Sequence, residues 1–291
     1  MAIDVDPELR RYAELIERSL RAALTVIEPA RPDEPSTLVE RGLIYPIVLS
    51  SSDRAIELPR IPADSPTTSP DVVDRYGHRR PVYRGLLFYS LFRAMKLAGV
   101  GTEVVQKWAR LLESQFATSR WPIHPPDRIP ANCGASIVDT AWMTLTAHAT
   151  IDAGTEVSTA TRAEAFGRLA ACQQADGAFL AATASDNPET HGYHELLLLH
   201  AATTCAIDTA DERLATAVSR NARFYQDQMQ PDHATSQPWA LAAFVWNPAT
   251  RPLADQILHA AATIAPASGV TSILLADALY CLHRLIRPNL P

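Results

Sequence analysis

The sequence predicts an all-α protein in which an inner ring of helices is wrapped by an outer one. From Val82 onward, apolar residues recur at three- and four-residue steps, separated by Gly, Pro, Asp and Asn clusters, and no period-2 stretch is long enough to form a strand. The helical segments are also of two kinds. Segments 160–174 and 211–229 carry Arg and Glu on one face, whereas 136–152, 191–207 and 270–286 are apolar nearly all round, as in Leu196-Leu-Leu-Leu199 and Ile273-Leu-Leu-Ala-Asp-Ala-Leu279. A helix that is apolar on every side must be covered on every side, so the alternation places one kind inside the other. Finally, a helix-closing turn recurs. Gln174-Ala-Asp-Gly177 closes one amphipathic helix and Gln230-Pro-Asp-His233 closes another about 56 residues later, each followed by a polar loop and an apolar helix. A weaker copy runs from Leu111-Leu-Glu-Ser-Gln115 to Asp139-Thr-Ala-Trp142.

The elements follow in order. Pro7 to Ile27 reads as an amphipathic helix, because Leu9, Tyr12, Leu15, Ile16, Leu20, Ala23 and Leu24 share a stripe with Arg and Glu between them. From Glu28 to Pro81 the texture changes: nine of the 22 prolines fall there, and proline lacks the N–H that helices and central strands need. This stretch reads as a long arm laid over the helical body or as a linker, with Ile44-Tyr-Pro-Ile-Val-Leu49 as an extended apolar piece. The chain therefore divides into 1–82, a helix and Pro-rich arm packed on the body, and 83–291, the helical domain. Within the latter the predicted helices are 83–98, 102–117, 136–152, 160–174, 191–207, 211–229, 238–246, 252–264 and 270–286.

Composition narrows the function. A chain of 291 residues with 47% hydrophobic and 20% charged side chains can bury a sizeable core. The net charge of −6 and the absence of any basic block argue against nucleic acid or an anionic membrane as partner. No apolar run reaches the roughly 18 residues of a membrane span. The start, Met1-Ala-Ile-Asp-Val-Asp6, lacks the apolar core of a signal peptide, so the expectation is a soluble cytoplasmic protein. Cys133, Cys172, Cys205 and Cys281 form no C-x-x-C pair and read as small buried hydrophobes.

The helix–turn–helix unit with Gln173-x-x-Asp176-Gly177-x-Phe179 at its turn resembles the repeat of α/α toroids of the terpenoid-cyclase and protein-prenyltransferase type, over about residues 100–286. The residues suit the turn. Gly177 can take the left-handed conformation that ends a helix without a Cβ penalty, and Asp176 and Gln173 can bond exposed backbone groups there. The activities of those families are not implied. The chain has no D-x-D-D acid motif, only 7% aromatic residues, and no Asp–Cys–His zinc pattern.

In such a toroid the inner helices run parallel, so their N-termini open at one end and favour anions. The starts that converge there carry Asp139 and Trp142, then His191-Gly-Tyr193-His194-Glu195, then Trp239, with His233 near the rim. At about 100° per residue, His191, His194 and Glu195 share one helix side while Tyr193 and His200 lie opposite. The first trio has a spacing that lets two imidazoles and a carboxylate approach one metal ion, but it is not H-E-x-x-H, and neither a metal nor a cofactor is assigned. Asp277, an acid deep in an apolar helix, needs a partner, for which Arg284 is the local candidate. Trp142 and Trp239 are core residues or platforms for a sugar ring. His191-Gly-Tyr193 also resembles the His-x-Tyr element of α/α-barrel polysaccharide lyases of the alginate-lyase kind. That resemblance implies proton abstraction beside a uronate carboxylate by His or Tyr, with Arg84, Arg79 or Arg80 neutralising the carboxylate; the Asn that precedes His in that family is replaced here by Glu189-Thr190.

The expectation is therefore an enzyme, a lyase or hydrolase, acting on a small-molecule or oligosaccharide ligand. His191, Tyr193, His194, Glu195 and Asp139 would carry acid–base chemistry, and Trp142, Trp239, Arg84, His233 and Asp277 would bind substrate. The competing expectations are a non-catalytic toroid that binds a protein or peptide, a metal-dependent hydrolase, and a cyclase-like protein without the D-x-D-D motif.

Overall fold

A computed structural model describes residues 6–30, 167, 169–180, 188–228, 237–264 and 269–287. The arm from 31 to 82, the predicted helices 83–98, 102–117 and 136–152, and the residues Arg84, Asp139, Trp142 and His233 lie outside the described residues. Six α-helices are described: α1 (Pro7–Ala30), α2 (Pro188–Thr209), α3 (Glu212–Gln228), α4 (Leu241–Trp246), α5 (Arg251–Ile264) and α6 (Gly269–Ile286). A single 3-10 turn, Pro248–Thr250, joins α4 to α5, and no strand occurs among the described residues. The all-α prediction holds for this part of the chain.

Local chemistry sets the boundaries. Asp6 caps α1, its Oδ1 accepting the Glu8 N–H at 3.0 Å, and Pro7 fills the first helical position, where no N–H is needed. Between α2 and α3 the chain reverses in two residues. Ala210 takes a left-handed conformation (φ 52°), and Asp211 caps α3 by accepting the Arg213 and Leu214 N–H groups at 2.9 and 3.1 Å. The helix predicted at 238 begins instead at Leu241, because Ala240 is also left-handed (φ 54°) and breaks the helical phase.

Burial separates the helices into two classes. Every residue of α2 from 195 to 206 is buried, as are 274–282 of α6 and 241–245 of α4. The other three bury a stripe and expose the rest: Leu9, Tyr12, Ala13, Ile16 and Leu20 in α1; Leu214, Ala217, Val218, Asn221, Ala222 and Tyr225 in α3; Ala254, Leu258 and Ala261 in α5. The buried helices α2, α4 and α6 touch one another, and among the described residues each has one amphipathic helix as its main cover, α3 on α2, α5 on α4 and α1 on α6, while α4 also touches α3 and α1. The first helix of the chain thus covers the last. Hydrophobic burial is the main force in this arrangement, since a fully buried Leu or Ile side chain contributes about 1.5–3 kcal/mol. No helix among the described residues is long and apolar enough to cross a membrane.

Candidate functional site

Two buried titratable side chains, Glu195 and His200, stand five residues apart on α2, roughly 140° around the helix from each other. They face different layers. Glu195 faces the cover formed by the 173–180 turn and α3. Its Oε2 accepts the Phe179 N–H and the Asn221 Nδ2–H, both at 3.0 Å, and its Oε1 accepts the Leu180 N–H. Three donors converge on one fully buried carboxylate, which offsets the cost of removing it from water.

The turn that supplies two of those donors is built as the Gln-x-x-Asp-Gly pattern predicts. Gly177 has φ 102°, and a Cβ there would lie 2.9 Å from the Arg220 carbonyl oxygen, so the position needs glycine for both conformation and space. Asp176 Oδ1 accepts the Ala178 N–H at 3.0 Å. Gln173 Nε2 donates to the Gly177 carbonyl at 3.0 Å and to the Ala217 carbonyl of α3 at 2.7 Å, joining the turn to its covering helix. Asn221 repeats the link by donating to the Gly177 carbonyl at 3.0 Å, and Arg220 donates to the Ala175 carbonyl at 3.1 Å.

The start of α2 is pinned to the same cover. The Tyr225 hydroxyl donates to the Gly192 carbonyl at 2.7 Å, and burial followed by the nearby Glu195 charge pushes this phenol well above its ordinary range. Helix α2 begins at Pro188, three residues before the predicted start, so His191, Tyr193 and His194 lie within the helix rather than at its first residue. Their side chains lie outside the described residues, so the expected grouping of His191 and His194 with Glu195 does as well. Glu195 itself, expected among the helix starts that converge at one end, is buried in the seam between α2 and its cover.

His200 faces the other way, toward α4 and α6. Its Nε2 lies 3.5 Å from Asp277 Oδ2, and its Nδ1 accepts the Ala240 N–H at 3.4 Å. The Trp239 ring meets the imidazole edge-on, with centroids 5.5 Å apart. Asp277, for which the sequence offered Arg284 as a local partner, is thus met by a histidine from a different helix. Trp239, expected at a helix start as a core residue or a sugar platform, lies two residues before α4 and is fully buried beside His200.

Sequence reasoning missed Asn221, Tyr225 and Ala240. Asn221 carried a readable signal: it is a polar side chain at a position where the spacing of Leu214, Ala217, Val218, Ala222 and Tyr225 demands an apolar one. Ala240 carried none, because alanine does not announce a left-handed conformation. Among the described residues, no three His, Cys, Asp or Glu side chains are grouped to hold a metal ion. No family model, curated protein or solved structure matches the chain.

Proposed function

We propose that the chain is an α/α toroid, with α2, α4 and α6 in its inner ring and α1, α3 and α5 in its outer ring. We further propose that the start of α2 carries acid–base chemistry on a carbohydrate or similar polyhydroxylated ligand. The observation that supports this reading is that each of three helices with a buried centre has one amphipathic helix as its main cover among the described residues. In a ring built this way, the starts of the buried helices gather at one end, where helix dipoles favour the carboxylate of an acidic sugar.

The commitment of Glu195 to three hydrogen bonds narrows the division of labour. Three donors already engage Glu195, so this proposal gives the proton transfers to His191, Tyr193 and His194. Glu195 then acts as the brace that fixes the helix carrying them. Asp139, Arg84, Trp142 and His233 complete the binding end in this proposal, Arg84 by neutralising a uronate carboxylate. In a lyase, His191 or Tyr193 removes the proton beside that carboxylate, the bond to the leaving sugar oxygen breaks, and Tyr193 returns a proton to that oxygen.

The test is turnover on a panel of neutral and uronate oligosaccharides, scored for unsaturated products (lyase) and for new reducing ends (hydrolase). Wild-type protein is expected to turn over at least one of them, and His194→Ala and Tyr193→Phe to lower kcat by about 100-fold or more while circular dichroism is unchanged. Absence of turnover by the wild type, or undiminished turnover in both variants, would overturn the proposal.

A further inference from the structure

We propose that Tyr225 of α3 is a positioning residue: through the Gly192 carbonyl it sets the place of the α2 turns that carry His191, Tyr193 and His194. Its consequence for catalysis rests on the function proposed above, whereas the placement of the backbone does not.

Two of the polar bonds between α2 and α3 form a ladder. Asn221 and Tyr225 stand four residues apart on α3, and Gly192 and Glu195 three apart on α2, so each pair shares a helix face about one turn apart. Asn221 Nδ2 donates to Glu195 Oε2 at 3.0 Å, and the Tyr225 hydroxyl donates to the Gly192 carbonyl at 2.7 Å. One bond fixes a point and leaves a helix free to pivot about it. A second, one turn away, fixes axial register and rotation together.

The two rungs differ in kind. Glu195 meets the cover through a side chain with three rotatable bonds, but Gly192 offers its main-chain carbonyl, so Tyr225 holds the helix backbone directly. Gly192 also stands amid the residues in question, with His191 before it and Tyr193 and His194 after it. Anchoring its carbonyl therefore anchors the stretch of backbone that bears all three.

A positioning group must itself be held, and Tyr225 is. Its ring is fully buried and meets Phe244 of α4 nearly edge-on, with centroids 5.9 Å apart, and Phe224 of α3 in the same way at 5.9 Å. A tyrosine has only two side-chain torsions, so packing that fixes the ring fixes the hydroxyl oxygen. A carbonyl oxygen only accepts, so the hydroxyl proton lies in the bond to Gly192. Burial, followed by the Glu195 charge, holds the phenol well above its ordinary range, so this donor keeps its proton near neutral pH.

Tyr225→Phe removes the hydroxyl and keeps the ring, which frees the start of α2 to shift without uncovering it. Hydrogen exchange of the full chain is expected to show protection at the amides of residues 192–196 about tenfold lower, with residues 200–206 within about twofold of wild type. The imidazole NMR signals of His191 and His194 are expected to move, and that of His259 on α5 to stay. On a substrate that the wild type turns over, kcat is expected to fall about tenfold with KM within about twofold, since small misplacements of reacting groups act on the chemical step. Leu214→Ala is the control for a merely structural role. It opens the same seam at the other end of α3, and is expected to lower stability while leaving the 192–196 amides, the two imidazole signals and kcat as in wild type. Phe244→Leu keeps the hydroxyl but loosens the ring that aims it; it is expected to repeat the Tyr225→Phe changes in weaker form, and replaces that variant should it not fold. Unchanged 192–196 protection with unmoved His191 and His194 signals, equal changes in Leu214→Ala, or full kcat in Tyr225→Phe would overturn the proposal. Absence of turnover by the wild type overturns the function proposed above and leaves the placement of the α2 start to be decided by the exchange and imidazole signals alone.

Discussion

The seam between α2 and α3 and the seat of α1 on α5 and α6 both fasten an amphipathic helix to the buried layer, but they use opposite chemistry. At the first seam the centre of the contact is polar and dry: Glu195 and Asn221 are fully buried and hydrogen-bonded to each other and to the 177–180 backbone. At the α1 seat the centre is apolar, with Ile16 and Leu20 fully buried, and the polar groups stand at the margin. Arg11 pairs with Asp255 at 3.2 Å with both side chains about half exposed, and Asp6 reaches Arg251, which holds the Asp6 carboxyl below its usual range. The exposed Arg11–Asp255 pair contributes about 0–1 kcal/mol, whereas a buried carboxylate with three donors is costly to disturb. A polar centre thus specifies one register and tolerates no change, and an apolar centre supplies adhesion that degrades gradually.

The strongest challenge to this contrast is Glu195→Ala. It strands the Phe179 and Leu180 N–H groups and removes the acceptor of Asn221, so the expected loss is about 3–5 kcal/mol in urea or guanidinium unfolding. Glu195→Gln should recover only part of that, since its amide presents N–H groups to donors. A loss below about 1 kcal/mol for Glu195→Ala would show that the polar centre is not what holds the seam.

The complementary change is Ile16→Ala at the α1 seat. Removing this buried side chain is expected to cost about 2–4 kcal/mol, with increased exchange across α1 and α6 and little change at Phe179 and Leu180. By contrast, Arg11→Ala should fall within about 1 kcal/mol, an effect that shrinks further with added salt. If Arg11→Ala proved as damaging as Ile16→Ala, the ion pairs at the margin would have to be counted as part of the adhesive.

These two regions also divide what was legible in the sequence from what was not. Helix α1 could be read from the spacing of Leu9, Tyr12, Ile16 and Leu20, because one wet face and one dry face imprint a 3.6-residue period. Its seat could not, since a stripe says that something covers it without saying what, and the answer lay more than 230 residues away at Arg251, Asp255 and α6. The 173–180 turn was legible because Gly177, Asp176 and Gln173 do local work with the backbone. The role of Glu195 was not. A Glu beside two histidines looks like a catalytic group on a sequence, and only the face it occupies shows that two backbone amides and Asn221 already bond it. The His200–Asp277 contact was likewise hidden, because nothing in either helix alone selects the other.

A finer probe of the α1 seat is the part-buried hydroxyl of Tyr12 at its margin. The Tyr12 hydroxyl donates to Asp255 Oδ1 at 2.8 Å and approaches the Arg251 carbonyl at 3.1 Å. Burial raises this phenol to about 12, with the Asp255 bond and charge acting in the same direction and Arg11 partly opposing them. A tyrosine whose folded pKa lies above its unfolded value of about 10 keeps a proton in the folded chain that the unfolded chain has lost. Its stabilisation is therefore complete below about pH 10 and disappears as pH rises through about 12. Tyr12→Phe should cost only about 1 kcal/mol at neutral pH and should flatten the alkaline fall in stability. It should not abolish that fall, because Tyr225 at the other seam is raised by burial in the same direction. The measurement is unfolding free energy against pH from neutrality to the alkaline limit for wild type and variant. Parallel curves would mean that Tyr12 ionises alike in both states, and the α1 seat would then have no shielded hydroxyl to set against the Glu195 seam.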